Sequence, residues 1–126
     1  LEAAFAAASL SNAGVRPAAR LALSYQHPEQ GWLGFPPLGS TAKLLSSLDI
    51  NSQISSLLYP KGTLPPDLPI WQITTTPADE ELTWYLAGTL PEEDGTPLTL
   101  ALVLEEENLP LAEEIGQAVL RTAAGH

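Results

Sequence analysis

Ser40-Thr41-Ala42-Lys43 places a hydroxyl and an amine three residues apart. On a helix that is one turn, the spacing at which an amine can take the proton from an attacking serine. Ser40 also suits a helix N-cap, with Leu44, Leu45 and Leu48 following as a buried stripe. Read that way, Lys43 is a solvated first-turn residue and the Ser-x-x-Lys match is a decoy. A second run, Thr74-Thr75-Thr76, offers hydroxyls that could line a groove, although threonine is also ordinary strand composition. His27 and His126 stand alone, short of the several ligands a metal site requires.

The acidic clusters Asp79-Glu80-Glu81, Glu92-Glu93-Asp94 and Glu105-Glu106-Glu107 lack the alternating Asp/Asn and the Gly of a calcium loop. They read as solvated turns and strand ends, so no metal or other cofactor is expected. Trp32, Trp71 and Trp84 could form a ligand platform, and core or lid packing is the plainer alternative.

Elements must hold these residues. Leu1, Ala4, Phe5 and Ala8 recur at helical spacing in an Ala-rich stretch, and Gly14 can take the left-handed C′ position that ends it. Leu21 to Tyr25 is a short strand candidate, and His27 to Gly39, rich in Pro and Gly, is a loop. The helix opening at Ser40 restarts near Asp49 or Asn51 and continues its stripe through Ile54, Leu57 and Leu58. A Pro-rich loop, Pro60 to Pro69, follows, with turn chemistry at Lys61-Gly62-Thr63.

Three strands come next, Ile70–Thr76, Leu82–Gly88 and Pro97–Leu104, the last two joined by a hairpin turn at Glu92-Glu93-Asp94-Gly95. They are apolar on both faces, the pattern of a sheet covered on both sides. Asn108 can cap a closing helix with Pro110 in its first turn, and Gly116 would let that helix approach the sheet closely. The expected fold is α+β: an antiparallel sheet of at least three strands, a C-terminal helix on one face and N-terminal helices on the other.

Composition narrows the function. The 126 residues are 44% hydrophobic and 16% charged, enough for one globular domain or part of one. Five basic against fifteen acidic residues give a net charge of −10. Nucleic-acid binding needs clustered Lys and Arg, which this chain lacks, so no nucleic-acid partner is expected. There is no cysteine, hence no disulfide and no thiolate metal site. No apolar run approaches the roughly 18 residues that cross a bilayer. The opening Leu1 already lies inside a helical pattern, so the chain reads as a piece of a longer protein.

Two segments resemble the C-terminal part of penicillin-binding-protein transpeptidase domains, the penicillin-recognising serine transpeptidases. Leu1 to Pro17, with Ala6-Ala7-Ala8-Ser9-Leu10-Ser11-Asn12-Ala13-Gly14, is similar to the family's A-A-A-[FY]-A-x-L-A-N-G-G helix. From Gly62-Thr63 onward, the order strand, aromatic strand, hydrophobic strand, helix is also the family's, and Thr83-Trp84-Tyr85-Leu86-Ala87-Gly88 is similar to its A-W-F-x-G strand.

The resemblance implies a parent that cross-links peptidoglycan of the bacterial cell wall. That parent would work on the outer face of the cytoplasmic membrane, anchored by a region outside this chain, with a D-Ala-D-Ala stem peptide or a β-lactam as ligand. The family's Ser-x-x-Lys and Ser-x-Asn motifs would lie upstream of Leu1. Its third motif, Lys-Thr-Gly, aligns with Ile73-Thr74-Thr75, so the lysine and the glycine are both replaced.

No catalysis by this chain is expected. Its place is scaffold, with Thr74, Thr75 and Thr76 as a remnant substrate strand and the rest of the transpeptidase domain as partner. A degenerate, non-catalytic binding or assembly module of the same family is the alternative, and an unrelated acidic α+β interaction domain is a third. Self-association through an open strand edge is expected as well.

Overall fold

The computed structural model describes residues 1–20, 22–45, 68–90 and 96–125. Helix α1 runs over Glu2–Ser11. It ends with Ala13 at φ 48°, and the Gly14 N–H returns to the Ser9 carbonyl at 2.8 Å, the long bond of a Schellman turn. The left-handed C′ position expected for Gly14 thus falls to Ala13, and Gly14 follows at φ 82°.

Residues 15–20 and 22–45 then form an irregular antiparallel arm. β1 (Val15–Arg16) pairs with β4 (Ala42–Lys43) at the base, and a bridge joins Ala19 to Leu38. β2 (Ser24–His27) and β3 (Gly31–Gly34) form the hairpin tip. Three expectations change here. The strand expected at Leu21–Tyr25 lies further along, at Ser24–His27. The loop expected from His27 to Gly39 contains a strand. Ser40 opens no helix.

The Leu44 and Leu45 N–H groups both reach the Gly14 carbonyl, at 2.8 and 3.3 Å, so the backbone that would begin a helix is committed to pairing with β1. A cap residue alone does not offset the cost of nucleating a helix when neighbouring strands compete for the same groups. Leu44 and Leu45, expected to be buried, are 55% and 40% exposed. Leu48, the stripe through Leu58, Lys61-Gly62-Thr63 and the Glu92–Gly95 turn lie outside the described residues.

The second half is regular. β5 (Ile70–Thr75), β6 (Thr83–Thr89) and β7 (Thr99–Leu104) form an antiparallel sheet in the order β5-β6-β7. Ile70 stands opposite Thr89, Thr74 opposite Tyr85, and Tyr85 opposite Leu102. Helix α2 (Leu109–Ala124) closes the chain. Asn108 caps it through Oδ1, which accepts the Leu111 N–H at 3.1 Å. Gly125 ends it in the left-handed conformation.

Alternation along the strands decides what covers each face. Ile70, Tyr85 and Ala87 face α2, where they pack with Leu68, Ala112 and Leu120, and Leu98, Leu100, Leu102 and Leu104 flank that core. Trp71 faces α1 and meets Ala7, with Leu10, Leu86 and Leu90 around it. The fold is therefore α+β, a three-stranded antiparallel sheet with the C-terminal helix on one face and the N-terminal helix on the other.

Two close approaches set the layers. A methyl at Gly116 would overlap the Tyr85 ring, so α2 lies flat on β6 at that point. A methyl at Gly88 would overlap Ser11 Oγ, where the end of α1 crosses the opposite face.

Candidate functional site

The threonine run sits at the end of the edge strand β5, and the pleat divides it. Thr74 points to the α2 side, where its hydroxyl donates to Glu113 Oε1 at 2.8 Å. Thr75 points the other way and is exposed. The Thr76 hydroxyl is buried and has no hydrogen-bond partner. These hydroxyls therefore do not share a surface, and one of them is already occupied by a carboxylate.

Beside Thr76 opens a cleft of about 350 Å³, lined also by Pro77, Ala78, Glu81 and Glu107. Its rim is acidic, with Asp79 and Glu80 contributing as well. Among the described residues no group of three or more His, Asp or Glu is arranged to hold a metal ion. The clusters Asp79-Glu80-Glu81 and Glu105-Glu106-Glu107 are exposed turn and strand-end residues.

Behind the threonines lies a polar network inside the α2-facing core. The Tyr85 hydroxyl donates to Gln72 Oε1 at 3.0 Å, and Gln117 Nε2 donates to the same oxygen at 3.2 Å. Gln72 is 2% exposed and Tyr85 fully buried, while Gln72 Nε2 has no partner. Burial, and secondarily the negative charge of Glu113, push the Tyr85 hydroxyl well above its ordinary pKa. The phenol is thus held as a neutral donor. It is a structural hydrogen bond, remote from the surface where a substrate could reach it.

Sequence pattern alone missed this network. Its one signal was Gln72, a polar residue inside the apolar run Ile70-Trp71-Gln72-Ile73. On the opposite face the Trp71 indole N–H donates to Ser11 Oγ at 2.9 Å, which makes Trp71 a core residue.

Ser40 and Lys43 are both exposed and lie on extended chain. Three residues apart on such backbone they point to opposite sides, so no helix turn joins the serine to the lysine. His27 Nδ1 accepts the Glu29 and Gln30 N–H groups at 3.2 and 3.3 Å, which fixes the hairpin tip. That nitrogen serves the turn. Trp32 is 71% exposed, while the Tyr25 and Phe35 rings meet at a tilt of 40° with centroids 5.0 Å apart.

A second cleft, of about 300 Å³, lies between α1 and residues 17–20 and is mainly apolar, with Phe5 and Pro17 in its wall. No helix among the described residues is long and apolar enough to cross a membrane. Comparison with protein-family models, with curated proteins and with solved structures finds no match to this chain.

Proposed function

We propose that this chain is the C-terminal portion of a penicillin-binding-protein-like transpeptidase domain, acting as its scaffold and performing no acyl transfer itself. The observation that carries the reading is the layer order: Ala-rich helix α1, an antiparallel sheet in the sequential order β5-β6-β7, and closing helix α2 on the opposite face. The resemblance of the two sequence segments implies the same succession, with the remnant of the Lys-Thr-Gly strand, Ile73-Thr74-Thr75, at a sheet edge. The parent would act in peptidoglycan synthesis outside the cytoplasmic membrane, and its nucleophile would come from residues beyond this chain.

The reading of this chain as non-catalytic has physical support. Acyl transfer needs an activated hydroxyl, a proton acceptor and backbone donors for the oxyanion. Ser40 and Lys43 do not meet, Thr74 is bound to Glu113, and Ile73 can donate no charged hydrogen bond to a substrate carboxylate. The Thr74–Glu113 bond also favours the second reading, a degenerate family member that binds or assembles without turnover.

Labelling with a fluorescent penicillin tests both. The isolated chain is expected to stay unlabelled, and a covalent adduct at Ser40 would overturn the scaffold assignment. A labelled full-length parent excludes the degenerate reading. A gene without Ser-x-x-Lys and Ser-x-Asn codons upstream of Leu1 would remove the catalytic parent.

A further inference from the structure

We infer that β7 is a self-complementary edge and that two copies of this chain join through it, antiparallel about a twofold axis at Ala101, into one six-stranded sheet. The inference concerns this chain by itself: in the parent domain proposed above, strands outside the chain would cover the same edge, so dimerisation of the chain and penicillin labelling of the parent are separate tests. Among the described residues β7 pairs with β6 on one side and with nothing on the other.

The two sheet edges differ. β5 is bounded by Pro69 and Pro77 and contains the polar Gln72 and Thr74. Thr99-Leu100-Ala101-Leu102-Val103-Leu104 holds no charge, no proline and no glycine, and its register with β6 runs over six successive pairs without a bulge. Charges, prolines and bulges are what keep natural edges from pairing, and β7 has none of them.

Backbone direction fixes the register. The Thr89 N–H donates to the Leu98 carbonyl at 2.9 Å, so residues 98, 100, 102 and 104 direct their backbone groups toward β6. Thr99, Ala101 and Val103 then direct theirs outward. An antiparallel partner with the same outward set meets them when Ala101 stands opposite itself and Thr99 opposite Val103. In that register Leu100 faces Leu102 of the second copy, on the α2 side of the sheet. Leu98, Leu100, Leu102 and Leu104 are only half-buried within one chain, and the second copy's leucines extend that row.

Charge argues against the parallel orientation. Glu105-Glu106-Glu107 follows β7 directly. A parallel, unstaggered pairing would set the two acidic runs about 5 Å apart. The antiparallel register places Glu105 beside Pro97 of the second copy and leaves the two Glu105 residues about 27 Å apart along the strand direction. That separation exceeds a Debye length of about 8–10 Å near physiological salt. The remaining repulsion between chains of net charge −10 predicts tighter association as ionic strength rises.

Sedimentation equilibrium and light scattering over a range of concentration and salt test the inference. The expected mass rises from 13.4 kDa to twice that value, at lower protein concentration when salt is high. Val103→Pro deletes an N–H that points away from β6, so it is expected to keep the far-UV spectrum and abolish the dimer. The chain has no native cysteine, so oxidation of single-cysteine variants reads the register directly. Ala101→Cys is expected to form a covalent dimer, because facing residues of a hydrogen-bonded pair lie about 5.5 Å apart, within disulfide reach. Glu105→Cys is expected to stay monomeric under the same oxidation. A monomer at every concentration and salt overturns the inference. So does a dimer in which Ala101→Cys fails to cross-link, or one in which Glu105→Cys cross-links faster.

Discussion

The Tyr85 ring occupies the space where any side chain on Gly116 would have to go, so the distance between α2 and the sheet is set at this one crossing. Tyr85 cannot yield. It is fully buried, and its hydroxyl is tied to Gln72 on the neighbouring strand. Gly116→Ala brings two opposed effects. Helix propensity favours alanine by about 1 kcal/mol, while overpacking a filled core costs about 1–3 kcal/mol and sometimes more. Because the clash is with a pinned ring, overpacking wins, and Gly116→Val is worse than Gly116→Ala. Urea midpoints should fall in that order. A Gly116→Ala midpoint above that of the parent chain would show that α2 can lift off freely.

The Tyr85–Gln72 hydrogen bond links β6 to β5 inside the core, and its two ends should be strongly coupled. Tyr85→Phe leaves Gln72 Oε1 with Gln117 alone and should cost about 0.5–1.5 kcal/mol. Gln72→Leu strands the buried phenol and should cost more, about 1–3 kcal/mol. The double variant removes both polar partners together, so it should be less destabilised than the sum of the singles. A double-mutant cycle in chemical denaturation measures that difference. Strict additivity would mean that the bond contributes nothing in the folded chain.

Alkaline pH probes the same phenol. Its folded pKa is raised, whereas in the unfolded chain a tyrosine loses its proton near pH 10. Above that pH the unfolded state binds fewer protons than the native state, so the unfolding free energy falls as pH increases. The stability held by the neutral phenol is complete below about pH 10 and is lost as pH rises toward the folded value. Tyr85→Phe should flatten this alkaline slope while leaving stability at neutral pH only modestly reduced. Unfolding midpoints followed from neutral to strongly alkaline pH in both chains check the sign.

The sheet and the closing helix were legible because local signals there agree with the tertiary fold. Alternating apolar residues predict strands, Asn108 and Pro110 predict the helix start, and Gly116 inside a good helix predicts close packing. The arm was not legible. Ser40 satisfies a capping pattern equally well whether or not a helix follows, and only the Gly14 carbonyl, some thirty residues earlier, decides that the backbone pairs instead. The threonine run could be found but not interpreted. Glu113, which occupies Thr74, lies 39 residues away and meets it only once α2 has docked.

Thr83 offers a test of how the helix is joined to the sheet. Its hydroxyl donates to the Glu106 carbonyl and accepts the Asn108 N–H, both at 2.8 Å, and the residue is fully buried. One side chain thus satisfies two backbone groups in the turn that carries the chain from β7 into α2. Asn108 caps the helix at a half-buried position, where water can replace part of what a substitution removes. Asn108→Ala should therefore cost about 1 kcal/mol. Thr83→Val keeps the shape and leaves two backbone groups unpaired, at about 1–3 kcal/mol each if both stay dry. Thr83→Val should accordingly be the more damaging variant, and hydrogen exchange should accelerate first at Asn108 and in the first turn of α2. Equal losses in the two variants would show that water reaches the turn once the hydroxyl is gone, and that the joint is held by packing of α2 alone.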